Sequence, residues 1–206
     1  MRSRLRFFLG AANGRFPPSD GGLTVVSRPT SGQRAVVALT GHAVIAADVG
    51  EVELRALGAD GFGGALHPRA LAWLAGDGGT IGVNDATLVG RGRGGSPALA
   101  VRHDLDDHHR VRHARARRGD VRVLGDERGL VTLGRGLAGR LELSVEAHAD
   151  LHGKGAGRAL VADAPTSIPT GEPVFAAVSP GNARSPRAFL AVGFVPIGSE
   201  VIILDG

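Results

Sequence analysis

Three glycines at alternate positions constrain this chain more than any other feature. They lie in Leu151-His152-Gly153-Lys154-Gly155-Ala156-Gly157-Arg158-Ala159-Leu160, between a strand-like segment and a helix-like one. Glycine lacks a Cβ and accepts positive φ, so such a turn can bring its backbone close to a ligand. The first N–H groups of the following helix then face outward beside the positive end of the helix dipole. That makes a site for phosphate or pyrophosphate. A plain strand-to-helix turn is the alternative. A P-loop is excluded, because Lys154 is followed by Gly155 and no hydroxyl is placed for Mg²⁺. The G-x-G-x-G spacing, with no preceding βαβ unit, is also a poor dinucleotide fingerprint.

The flanks narrow the choice. Upstream, Arg140 to Ala147 alternates like a strand. Downstream come a second strand, Pro173 to Val178, and then Pro180 to Phe194. Together these resemble the GNAT superfamily of N-acetyltransferases. That family's cofactor loop reads [RQ]-x-x-G-x-[GA], and His152, Gly155 and Gly157 fill it with a change at the first position. Its second motif, N-x-x-S before a helix ending in G-F, is matched by Asn182, Ser185, Gly193 and Phe194. The motifs cover about residues 120–206. The expected fold class is α+β: a GNAT-like, mixed, mostly antiparallel sheet flanked by helices. The expected domains are a small α+β region at 1–82, with no assigned chemistry, and an acetyl-CoA-binding domain at 83–206.

Composition sets wider limits. The chain has 206 residues and no cysteine, which excludes disulfides, thiolate metal sites and a cysteine nucleophile. Absence of cysteine fits a reducing cytoplasm. No apolar run reaches the length of a membrane span, and residues 1–16 lack the apolar core of a signal peptide. The net charge of +4 favours anionic ligands such as CoA over nucleic acid. Lys154 is the only lysine among many arginines, a usage expected of a G/C-rich bacterial genome.

In chain order, residues 1–20 read as a loosely docked arm closed by Pro17-Pro18. Leu23 to Val26 and Arg34 to Leu39 read as strands joined across Pro29 to Gly32. Gly41-His42 turns into a strand at Ala43 to Ala47. His42 at that tip reads as a solvated turn residue, with a ligand role as the alternative. Val49 to Leu57 and Pro68 to Ala75 read as helices, the second with Pro68 in its first turn and Leu71, Trp73 and Leu74 toward a core. Ala86 to Val89 is a strand, and Gly90 to Gly95 a mobile loop rather than an RNA-binding RGG tract. Asp104 to Arg118 reads as a helix with acids first and arginines last. Its His103, His108, His109 and His113 invite a metal reading, but a polar helical face explains them, and no metal is expected. Its arginines lack the interleaved aromatics of a nucleic-acid surface. Val121 to Leu124, Leu130 to Leu133 and Arg140 to Ala147 read as a meander. Helices follow at Gly155 to Ala164 and Ala183 to Val192, and closing strands within Val195 to Leu204.

The resemblance implies acetyl-CoA as cosubstrate and a primary amine of unknown identity as acceptor, joined by direct attack in a ternary complex. Backbone at Val145 and Ala147 would pair with pantetheine. The loop His152, Gly153, Lys154, Gly155, Ala156, Gly157 and Arg158 would hold the pyrophosphate, and Asn182 the pantetheine arm. Glu146 is the first candidate base and Glu142 the second, both on one side of their strand. Phe189 stands where many members carry a tyrosine acid, leaving Ser185 or water to protonate the thiolate. A CoA-binding or regulatory module without turnover is the alternative function. A homodimer is compatible with the sequence; a membrane partner is not expected.

Overall fold

In the computed structural model, residues 2–28 and 32–206 are described. In chain order the elements are α1 (Arg2–Ala12), β1 (Gly22–Val26), β2 (Arg34–Leu39), β3 (His42–Ala46), α2 (Glu51–Ala56), α3 (Pro68–Ala75), β4 (Thr80–Ile81), β5 (Asp85–Arg91), β6 (Ala100–Val101), α4 (His109–Arg117), β7 (Gly119–Asp126), β8 (Gly129–Arg135), β9 (Leu141–Ala147), α5 (Ala156–Asp163), β10 (Pro173–Val178), α6 (Arg184–Leu190) and β11 (Val195–Leu204). The chain divides into two units: residues 1–87 with 197–206, and residues 88–196. This differs from a single boundary at 82/83. Residues 197–206 join the first unit because β11 pairs with β2 over Ser199–Ile203 and with β4 at Ile203 and Leu204.

The first unit orders its strands β1-β3-β2-β11. β1 and β3 run parallel, while β2 is antiparallel to both β3 and β11. Val36, Ile45, Val201 and Ile203 are fully buried and form its core with Leu54 and Leu74 of the helices. α3 starts as its sequence dictates: Pro68 occupies the first turn, and the His67 ring accepts the Arg69 N–H. Leu71 and Leu74 are buried, but Trp73 is 42% exposed, so it is not a core residue. At helical spacing it lies off the face that Leu71 and Leu74 share. The loosely docked arm expected at 1–20 is also corrected. Residues 2–12 form α1, whose Phe8 and Ala11, three apart, are both buried. The Asn13 side chain closes it by donating to the Leu9 carbonyl, and Gly14 takes φ +71°. The link read across Pro29 to Gly32 falls largely on residues 29–31, outside the described residues.

The second unit orders its strands β5-β10-β9-β8-β7-β6. β7, β8 and β9 form the expected antiparallel meander, with Leu133 opposite Leu143 and Val131 opposite Val145. β10 joins β9 in parallel. α5 packs on β8, β9 and α6, and α4 packs on β7 and β8. The result is the mixed, mostly antiparallel sheet with flanking helices that the sequence implied. Two expectations change. The helix read over 104–118 begins only at His109; Asp104 is drawn out of it by a two-pronged bond from the Arg102 guanidinium. The glycine tract at 90–95 is tied down rather than mobile. The N–H groups of Gly92, Arg93 and Gly94 donate to the carbonyls of Glu172, Pro165 and Ile168. A Cβ on Gly92 would lie 2.1 Å from the Pro169 carbonyl oxygen, so close approach requires glycine there.

Candidate cofactor and catalytic site

β9 and β10 are parallel, so the turns that follow them leave the sheet at the same end. Their ladder registers Phe175 opposite Glu142 alone. Past that point the two strands do not continue as a registered pair, while β9 stays paired to β8 as far as Ala147. Val145 and Ala147 therefore lie on a half-buried strand end whose β10 side is not laddered.

The chain leaves β9 through a short 3₁₀ turn at Ala149–Leu151 and reaches the glycine turn. Gly153 and Gly155 take φ +80° and +88°. A Cβ at either would meet nothing within 4 Å, so both glycines serve conformation and border open space. The Ala159 N–H donates to the Gly155 carbonyl, the first bond of α5. The N–H groups of Ala156, Gly157 and Arg158 precede that bond and belong to the helix end. No side chain caps this end. α5 is anchored from below by Ala156, Leu160 and Val161, all buried. Lys154 and Arg158 are exposed beside the turn. An open, uncapped helix end with two cations beside it fits a phosphate-bearing ligand. The His152 ring turns back to donate from Nε2 to the Ala147 carbonyl at 3.1 Å, which ties the turn to the end of β9. Asn182 lies in the turn after β10 and Ser185 in the first turn of α6, where the Ser185 N–H donates to the Asn182 carbonyl. Phe189 is buried edge-on against Phe194, with ring centres 5.0 Å apart, and presents no acid to this end of the sheet.

The two candidate carboxylates face one side of β9 but have unlike surroundings. Glu142 is 7% exposed. Its Oε1 accepts from Arg140 Nε at 2.9 Å and from the Leu137 N–H at 3.0 Å, and its Oε2 accepts from Arg118 Nε at 2.8 Å. Burial pushes its carboxyl up, but the Arg140 and Arg118 charges and these hydrogen bonds outweigh that and hold it below the usual range. Glu142 is a fixed anion closing a buried ion network. Both oxygens of this second candidate base are occupied by protein donors.

Glu146 has only 28% of its side chain exposed, at the open end of the strand. Arg110 Nε donates to its Oε2 at 2.6 Å, and His109 Nε2 lies 3.2 Å from the same oxygen. His108 Nε2 is 3.8 Å from Oε1. Partial burial pushes the Glu146 carboxyl up; the Arg110 bond and charge, with the two histidines, outweigh it and leave it lowered. His108, His109 and Glu146 could in principle hold a metal ion, since one atom from each lies within 4.8 Å of the others. Their chemistry does not suit one. His108 Nδ1 accepts the Arg110 N–H as the cap of α4, so a neutral ring carries its proton on Nε2, the atom turned toward Glu146. The Arg110 guanidinium already occupies Oε2 of the carboxylate. Sequence reading identified Glu146 but not these partners; the run His108-His109-Arg110 was visible, yet its meeting with a strand 36 residues later was not.

No family model and no curated protein matches the chain. Solved structures do. A GCN5-related N-acetyltransferase from Kribbella flavida superposes with a TM-score of 0.38 at 16% identity, covering 62% of this chain and 60% of its own. Structures of GNAT acetyltransferases are thus among its neighbours. A GNAT-family protein from Novosphingobium aromaticivorans, described as an acetyltransferase, gives 0.41 at 15%, covering 63% and 68%. A protein of unknown function from Staphylococcus epidermidis gives 0.40 at 15%, covering 62% and 63%. The chain therefore spans under two thirds of the length of the Kribbella and Staphylococcus structures. Among the described residues no helix is long and apolar enough to cross a membrane.

Proposed function

We propose that the chain is an N-acetyltransferase that moves an acetyl group from acetyl-CoA to a primary amine by direct attack in a ternary complex. The observation that carries this reading is the end of β9. There a strand that has left its parallel partner runs into an open glycine turn at an uncapped helix end. The N–H groups from Gly153 to Arg158, with Lys154 and Arg158, would hold the pyrophosphate. Backbone at Val145 would pair with pantetheine, and Asn182 would hold its arm. Ala147 would contribute mainly through its N–H, since its carbonyl takes the His152 bond. His152 then acts by bracing the turn rather than by binding phosphate directly.

The cosubstrate supplies a thioester, an acyl group activated toward nitrogen. The amine forms the C–N bond as the C–S bond breaks, and the proton lost by nitrogen passes to the Glu146 carboxylate. Glu146 is ionised at neutral pH, and His109 beside it offers a group that can carry the proton onward to water. Backbone N–H groups near Val145 would stabilise the developing oxyanion. Ser185 or water would protonate the thiolate. The protein resides in the cytoplasm on this reading.

Thiol release from acetyl-CoA across a panel of primary amines tests the reading. Amine-dependent release by the unmodified protein, lowered roughly a hundredfold in Glu146→Gln, supports it. Acetyl-CoA binding without release for any amine would favour the non-catalytic CoA-binding module instead.

A further inference from the structure

The first unit holds a cluster that the acetyl-transfer reading leaves unused. His42, read from sequence as solvated, is 8% exposed. It opens β3 opposite Gly22 of the parallel β1. A Cβ on Gly22 would stand 3.0 Å from the imidazole Nδ1 and 2.6 Å from Asp20 Oδ1, so the ring and the carboxylate fit only against glycine. Gly61 crowds the other flank, where a Cβ would lie 2.7 Å from His42 Cα. Within this frame His42 Nδ1 lies 3.4 Å from Asp20 Oδ1, and Nε2 lies 2.8 Å from Thr24 Oγ1.

The proton positions follow from the partners. A carboxylate only accepts, so Nδ1 carries the ring proton and Nε2 offers its lone pair to the Thr24 O–H. Asp20 is itself set by accepting the Gly22 N–H at 2.8 Å. That bond and the one to His42 hold its carboxyl below the usual range. The order hydroxyl, imidazole, carboxylate is that of an activated oxygen nucleophile. Thr24 and His42 line a cavity of about 360 Å³ together with Phe7, Phe16, Arg6, Arg15 and two prolines. Two phenylalanines and two prolines give it apolar walls beside these polar groups, and the Arg6 guanidinium lies 4.8 Å over the Phe7 ring. The cavity thus suits a small acyl group with a short aliphatic chain, and its two arginines favour one that ends in a carboxylate.

We infer that Thr24, His42 and Asp20 form a second active site, one that hydrolyses small acyl esters, with anionic acyl groups preferred. Thr24 Oγ forms a bond to the ester carbonyl carbon as its proton passes to His42 Nε2. The bond to the alcohol oxygen breaks, and that oxygen takes the proton. Water then attacks the acyl-threonine, giving up a proton to His42. The carboxylic acid leaves, and Thr24 regains its hydrogen. One ester and one water give one acid and one alcohol.

The test uses the full chain with 4-nitrophenyl acetate and 4-nitrophenyl hydrogen succinate. The expected result is nitrophenolate release above buffer, faster for the succinate ester, with a transient acyl mass mapped to the peptide carrying Thr24. Thr24→Ala and His42→Ala should each lower release roughly a hundredfold. Because His42 is buried, the urea unfolding midpoint of each variant is the control for folding, and Thr24→Ser, which keeps a hydroxyl, should release more than Thr24→Ala. Arg6→Ala with Arg15→Ala should remove the preference for succinate over acetate. Three results would overturn the inference: no release by the folded protein, undiminished release by Thr24→Ala, or acyl mass on Lys154 or a histidine in place of Thr24.

Discussion

Glu142 and Glu146 are the same residue type, on the same strand and the same side of it, four residues apart. One is a buried anion locked between two guanidinium groups; the other is a partly open carboxylate with an arginine and two histidines around it. Alternation along β9 decides the face, but it does not decide depth. Depth comes from the strand's neighbours: the inner half of β9 has β10 beside it at Phe175, and the outer half has left that partner. The comparison teaches that a sheet can use one side of one strand for stability at one end and for chemistry at the other.

The contrast breaks most visibly at Glu142. Replacing it with alanine leaves Arg118 and fully buried Arg140 without their shared carboxylate, and should cost about 3–5 kcal/mol of stability, read as a lower midpoint in urea unfolding. The sign with pH follows from its lowered pKa. The stabilisation is full above the ordinary glutamate range near 4.5 and is lost as pH falls through the folded value, so Glu142→Gln should flatten the acid side of the stability profile. Loss of acetyl transfer in Glu142→Gln beyond its loss of folded protein would blur the division between the two carboxylates.

Glu146→Gln should do the reverse: lower amine-dependent acetyl transfer roughly a hundredfold with little change in the unfolding midpoint. A smaller and sharper effect belongs to Arg110. Arg110 holds the Glu146 carboxyl down, so Arg110→Ala should move the acid limb of the rate profile to higher pH. An unmoved limb would assign that limb to another group.

The fold of the second unit was largely legible. The meander, the glycine turn and the two following helices announce themselves by alternation, glycine spacing and local turn residues, all properties of neighbours in sequence. What stayed hidden depends on distant partners. The start of α4 was set by Arg102 pulling Asp104 outward and by His108 turning its ring to cap. α1 exists because Phe8 and Ala11 find a core to bury against, although Gly10 weakens it and no acid supports its first turn. His42 looked like a solvated turn residue because its partner Thr24 lies 18 positions earlier on a strand that only the parallel pairing of β1 and β3 brings alongside. Trp73 misled in the opposite sense, being apolar at helical spacing yet on the outer face. At the site itself, the glycine turn was readable, whereas the unequal depth of Glu142 and Glu146 was not, because both obey the same period of two.

The most direct measurement is acetyl-CoA binding by calorimetry, comparing the unmodified protein with Gly155→Asn and Gly155→Asp. Both side chains enter the left-handed region more readily than other residues and are nearly equal in size, so they differ mainly in charge. Aspartate beside a helix N-terminus favours the helix, so its effect cannot be put down to unfolding of α5. The account predicts micromolar binding by the unmodified protein, weaker binding by Gly155→Asn, and none by Gly155→Asp. No binding by the unmodified protein, or equal binding by the two variants, would contradict a pyrophosphate cradle at this turn.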